Sequence, residues 1–146
     1  MIRLVDDQQL GRVLRDSDRR VGTPEAAVYT TGYWYVRLCR AVLASNARDG
    51  VLSGPFTSLP EELRDRAIRS LLELPDHIGL VSMRDLGPLI GQLRSRHQLN
   101  ILGMEAVAAA VHLSGLGAEE VVVELSARSR LLEAALRAEG VEARIV

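Results

Sequence analysis

The residues able to do chemistry in this chain are a few acids at the ends of apolar runs. Asp6 and Asp7 follow "MIRLV", Glu124 follows "VVV", and Glu105 sits within "LNILGMEAVAAAVHL", residues 99–113, where only it and His112 interrupt an apolar run. A helix apolar on nearly every face is buried, and an unpaired buried carboxylate costs several kcal/mol. Glu105 therefore needs a partner. One answer is a polar notch shared with the strand-end acids. Carboxylates so gathered repel unless protonated or bridged by a cation, and oxygen-rich sites suit Mg²⁺ or Mn²⁺. The plainer answers are an ion pair with an arginine such as Arg3 or Arg40, or a partly solvated helix end. Asp6–Asp7 also reads as a turn capping the next helix, and Glu124 as a solvated strand end.

A second concentration lies in "YTTGYWYVRLCR". Four of the five aromatic residues fall between Tyr29 and Tyr35, the fifth being Phe56. On a helix Tyr29, Tyr33, Val36, Arg37 and Arg40 recur at spacings of three and four, while Tyr33, Trp34 and Tyr35 point in three directions. Three readings stay open: packing against the sheet, a subunit or partner interface at Tyr33, Trp34 and Tyr35, and nucleic-acid contact through Arg37 and Arg40 beside stacking aromatics.

The elements that must position these residues follow from periodicity. "MIRLV", "HIGLVSM" and "VVV" read as short apolar strands and "VEARIV" as the last strand. Helices are predicted over "QQLGRVLRD", from Thr23-Pro24-Glu25 to about Ala44, over "PEELRDRAIRSLLEL", over residues 84–97, after the N-cap Asn100, and over "SRLLEAALRAEG" with Gly140 as its C-cap. Strands alternating with helices predict a three-layer α/β fold, a parallel sheet of four to five strands with helices on both faces. Function in such sheets lies beyond the carboxyl ends of the strands.

Length and composition narrow the classes. The 146 residues suit one domain spanning 1–146. Net charge is −1, which removes any global pull towards nucleic acid or membrane. "MIRLVDDQQL" lacks the apolar region of a signal peptide and no eighteen-residue window is apolar and free of charge, so a cytoplasmic protein without membrane contact is expected. Cys39 is alone, and all eighteen basic residues are arginine, so lysine chemistry is excluded. No G-x-S-x-G, G-x-G-x-x-G or P-loop pattern occurs.

Three segments carry a resemblance: "IRLVDDQQLGRVL", "LGMEAVAAAVHLSGLGAEEVVV" and "SRLLEAALRAEGVEARIV". Together they resemble the PIN-type nuclease domain, the fold of many bacterial toxin ribonucleases. The resemblance implies a metal-dependent acidic site with Asp6 as the first-strand acid and Glu105 as the helix acid, both metal ligands. The family's second acid has no counterpart in "VYTTGYWYV", Glu25 standing too near the expected helix start. The last acid falls where this chain has Ser126 or Ser129, with Glu124 slightly early. The expectation is a PIN-like domain with an incomplete site of Asp6, Glu105 and Glu124, holding Mg²⁺ or Mn²⁺ weakly and acting by binding a protein partner or RNA. The partners expected are a second copy in a homodimer or an antitoxin. The alternative is an Mg²⁺- or Mn²⁺-dependent endoribonuclease of the toxin–antitoxin type, with Asp7 or Glu124 as the substitute acid. A third reading is a helix-covered regulatory domain without nucleic acid.

Overall fold

The structure, a computed structural model, describes residues 1–16, 26–44, 50–117 and 119–146. Its elements run β1 (Ile2–Val5), α1 (Asp7–Asp16), β2 (Ala27–Thr31), α2 (Gly32–Leu43), α3 (Gly54–Thr57), α4 (Glu61–Leu72), β3 (Ile78–Val81), α5 (Met83–Leu93), α6 (Ile101–Gly115), β4 (Val121–Leu125), α7 (Arg130–Ala138) and β5 (Glu142–Ile145). All strand pairings are parallel, in the order β3-β2-β1-β4-β5. The chain builds outward from β1 to β3, then returns across β1 to place β4 on its other side. That reversal lies between β1 and β4, where doubly wound sheets open a crevice.

The sheet divides two apolar layers. Leu4, Val121, Val123 and Leu125 pack with α5, α6 and α7, while Val5, Val28 and Ile78 pack with α1, α2, α3 and α4. Helix α2 contributes to both, Trp34 to the first and Leu38 to the second. Helix α6 is buried from Gly103 to Ala110, as its all-round apolar character requires, and its alanines let the sheet and neighbouring helices approach closely. Asn100 caps it as expected, its side chain accepting from Gly103 N–H at 2.8 Å. Gly140 ends α7 with φ 77°, where only glycine is unstrained. Val141 N–H then reaches Leu136 O at 2.9 Å and Gly140 N–H reaches Arg137 O at 3.0 Å, the paired bonds of a Schellman cap.

The three-layer parallel α/β expectation holds, with five strands in the sheet. The helix expected from Thr23 to Ala44 is corrected. Residues 17–25 lie outside the described residues, and Ala27–Thr31 is a strand between β1 and β3. "AVYTT" is β-branched and aromatic, and pairing on both edges outweighs the helix-like spacing of Tyr29 with Tyr33 and Val36. Tyr29 thus belongs to β2, where its ring lies across Gly79 of β3. A Cβ on Gly79 would run into Tyr29 Cδ1 and Cε1. In α4 the buried stripe is Ala67 and Leu71, while Leu63 and Leu72 face outward. Among the described residues no helix is long and apolar enough to cross a membrane.

Candidate functional site

Asp6 lies between the end of β1 and the start of α1, beside β4. Its N–H extends the ladder to Glu124 O at 3.2 Å. Its Oδ1 accepts from Gln9 N–H at 2.9 Å, the N-cap bond of α1. The same oxygen takes the Ser126 hydroxyl at 2.9 Å, and Oδ2 takes Ser126 N–H at 2.6 Å. Ser126 Oγ in turn accepts from Gln9 Nε2 at 3.1 Å. The capping turn and the position where the resemblance expects an acid are thus joined into one network, with a hydroxyl where a second carboxylate would stand.

Asp7, the first residue of α1, is buried although charged. Its Oδ1 accepts from Gln8 N–H at 2.8 Å. Its Oδ2 has no hydrogen bond and lies 3.4 Å from Arg37 Nη1, near enough for attraction but not aligned to bond. Burial raises the Asp7 carboxyl above the ordinary aspartate value, Arg37 opposes this, and the Asp6 charge adds to the rise.

Glu105 answers the question its helix poses in a way that none of the sequence readings named. It is 2% exposed, and its Oε1 accepts Tyr33 N–H at 2.8 Å, in the first turn of α2. Thr31 caps the same end through Trp34 N–H at 3.2 Å. A carboxylate at a helix N-terminus meets orphan donors and the positive end of the dipole. The alternative, an ion pair with Arg3 or Arg40, is not formed. Arg3 instead grips Glu124 with two bonds, 2.9 Å and 2.7 Å, which raise the guanidinium above its ordinary value while burial opposes them. Glu124 is also corrected in place: it lies inside β4, opposite Val5, rather than past its end.

A cleft of about 470 Å³ opens at the β1–β4 reversal, lined by Asp6, Asp7, Ser126, Ser129, Asn100 and Arg37 among others. Neither Glu105 nor Glu124 lines it. Among the described residues no three His, Cys, Asp or Glu side chains are grouped to hold a metal. A second groove of about 460 Å³ adjoins it, lined by Tyr33, Val36, Arg37, Arg40, Asn100, Ile101 and Leu102. Arg37, Asn100 and Leu102 border both.

No protein-family model matches the chain, and no curated protein does. Among solved structures it is similar to VapBC-1 from nontypeable Haemophilus influenzae, with a TM-score of 0.48 and 11% identity over 99% of this chain and 98% of that one.

The aromatic cluster divides. Trp34 is 2% exposed and packs inside the chain, so it offers no surface to a second one. Tyr35 is half-buried against the α1–α4 layer and donates its hydroxyl to Leu71 O at 2.7 Å. Tyr33 alone of the three is exposed, with Arg37 and Arg40 on the same outer face of α2. Sequence alone assigns Gln9 no role at the site. The Asp6-x-x-Gln9 spacing at a helix start is a capping signal, but the diversion of the Gln9 amide to Ser126 arises only from β1–β4 pairing.

Proposed function

We propose that the chain is a PIN-like domain that acts by binding a protein partner or RNA and cleaves RNA weakly or not at all. The observation that carries this reading is that each acid supplied by the resemblance already has a structural partner. Asp6 holds α1 and Ser126, Glu124 holds Arg3, and Glu105 caps α2. A two-ion hydrolytic site needs carboxylates free to hold the ions and orient water, and this donor set does not fit one. The adjoining groove offers Tyr33, Arg37 and Arg40 to a partner, which under this reading is an antitoxin-like protein, RNA or a second copy.

The test is incubation of the purified protein with single-stranded and structured RNA in Mn²⁺. RNA is expected to stay largely intact. Robust cleavage that disappears in Asp6→Asn would overturn the reading.

One observation favours the second reading, a metal-dependent endoribonuclease of the toxin–antitoxin type. Asp7 Oδ2 is buried without a hydrogen bond beside Asp6, and such an oxygen suits a hard cation, Mg²⁺ or Mn²⁺. Loss of cleavage in Asp7→Asn as well as Asp6→Asn would support it.

A further inference from the structure

The groove between α2 and α6 combines two properties that select an occupant. Part of its lining is apolar and exposed: Tyr33 is 43% exposed, Val36 51% and Ile101 54%. Leu43, 42% exposed, continues the stripe one turn beyond Arg40. Tyr33, Val36, Arg40 and Leu43 succeed one another at spacings of three and four, so they share one face of α2. Among the described residues the charged side chains lining the groove are Arg37 and Arg40, both positive. Arg37 keeps half of its side chain exposed while touching Asp7, and Arg40 has no ion-pair partner among the described residues. Among the described residues no acidic one lines the groove. Scattered exposed apolar residues need no explanation, but a row of them beside an unpaired Arg40 and a half-exposed Arg37 does.

We infer that this groove docks an acidic amphipathic segment of a partner protein, a short helix with an apolar stripe flanked by Glu or Asp. The inference rests on the binding reading above and names the partner's chemistry. The stripe from Tyr33 to Leu43 spans roughly 15 Å, about three helical turns, which suits apolar anchors spaced i, i+3, i+4 and i+7. Carboxylates beside those anchors would face Arg37 and Arg40, giving orientation and rate of encounter. Single-stranded RNA fits the arginines but little of the floor. Bases stack on aromatic faces, and Tyr33 offers one such face, while Val36, Ile101 and Leu102 are aliphatic.

The experiment uses the full chain and two labelled peptides of roughly eighteen residues, with leucines at the anchor spacing and either glutamates or lysines elsewhere. A single-stranded oligoribonucleotide forms a third arm. Fluorescence anisotropy is expected to show the glutamate peptide bound at least about tenfold more tightly than the lysine peptide. Arg40→Glu should reverse that order, and Val36→Asp should abolish both, with melting curves confirming that these exposed changes leave the fold intact. Amide shifts on titration should centre on α2 and the start of α6. Equal affinity for the two peptides, no peptide binding, or shifts elsewhere would overturn the inference. RNA binding that Arg40→Glu removes, without peptide binding, would replace the occupant but leave the binding reading standing. Self-association removed by the same change would put a second copy in the groove and overturn the proposal too. Absence of all binding together with Mn²⁺-dependent RNA cleavage would remove both readings.

Discussion

Ser126 gives both of its donors to Asp6, its N–H at 2.6 Å from Oδ2 and its hydroxyl at 2.9 Å from Oδ1. A carboxylate so held is a structural acceptor joining the end of β4 to the start of α1. Ser126→Asp would replace the hydroxyl donor with a second carboxylate. Repulsion at this spacing should lower stability at pH 7 by roughly 1–3 kcal/mol, and acid should restore it as one of the pair protonates. Mn²⁺ should raise the melting temperature of the variant more than that of the wild type. Equal Mn²⁺ shifts in both proteins would place cation binding away from this notch.

Asp7 should show the opposite of the usual aspartate effect. Burial holds its carboxyl above the ordinary value, with Arg37 only partly offsetting it. An acid raised in the native state favours the protonated fold. Its contribution is therefore greatest at low pH and declines as pH rises from the unfolded value through the native one. Asp7→Asn should consequently stabilise the protein at pH 7, and the gain should fade below about pH 4, where wild-type Asp7 is protonated in both states. Denaturant melts across that range check it. A loss of stability at pH 7 would mean that the attraction to Arg37 outweighs burial.

Glu105 tests the cap on α2. Glu105→Gln keeps an acceptor for Tyr33 N–H and loses only charge against the helix dipole, about 0.3–1 kcal/mol. Glu105→Ala removes the acceptor and leaves a hole beside buried backbone, which should cost roughly 2–3 kcal/mol. Urea unfolding of the two variants distinguishes a cap from an ion pair. A loss of several kcal/mol for the Gln variant, comparable to that for Ala, would contradict the cap.

Trp34→Ala should act on folding rather than on association. The indole is enclosed in the layer formed with α5, α6 and α7, so truncation should cost roughly 3–5 kcal/mol. Tyr33→Ala, on the exposed face, should leave stability within about 0.5 kcal/mol. Any dimer seen by light scattering at micromolar concentration should respond to Tyr33→Ala without a change in melting temperature.

Much of this architecture is legible in single stretches of sequence because the rules involved are short-ranged. Apolar runs mark β1, β3 and β4, and the short "VEARIV" after the Gly140 helix stop marks β5. Asn100 and Gly140 announce a helix start and a helix stop through stereochemistry within a few residues. An Ala-rich apolar segment must be buried wherever the chain goes. Ala27–Thr31 shows where local pattern fails: spacings of three and four from Tyr29 onward mimic a helix, and only hydrogen bonding to β1 and β3 on either side makes the segment a strand.

For the acids, tertiary structure decided nearly everything. Types and positions marked Asp6, Glu105 and Glu124 as residues needing partners, but Asp6 meets a serine 120 positions away, and Glu105 meets a backbone N–H 72 positions away. Arg3, a candidate partner for Glu105, is instead the diagonal neighbour of Glu124 across the β1–β4 register. A carboxylate's need for donors is a local property of its chemistry. Which donors meet it depends on strand order and register, set by packing the whole chain, and spacing along the sequence does not encode that relationship.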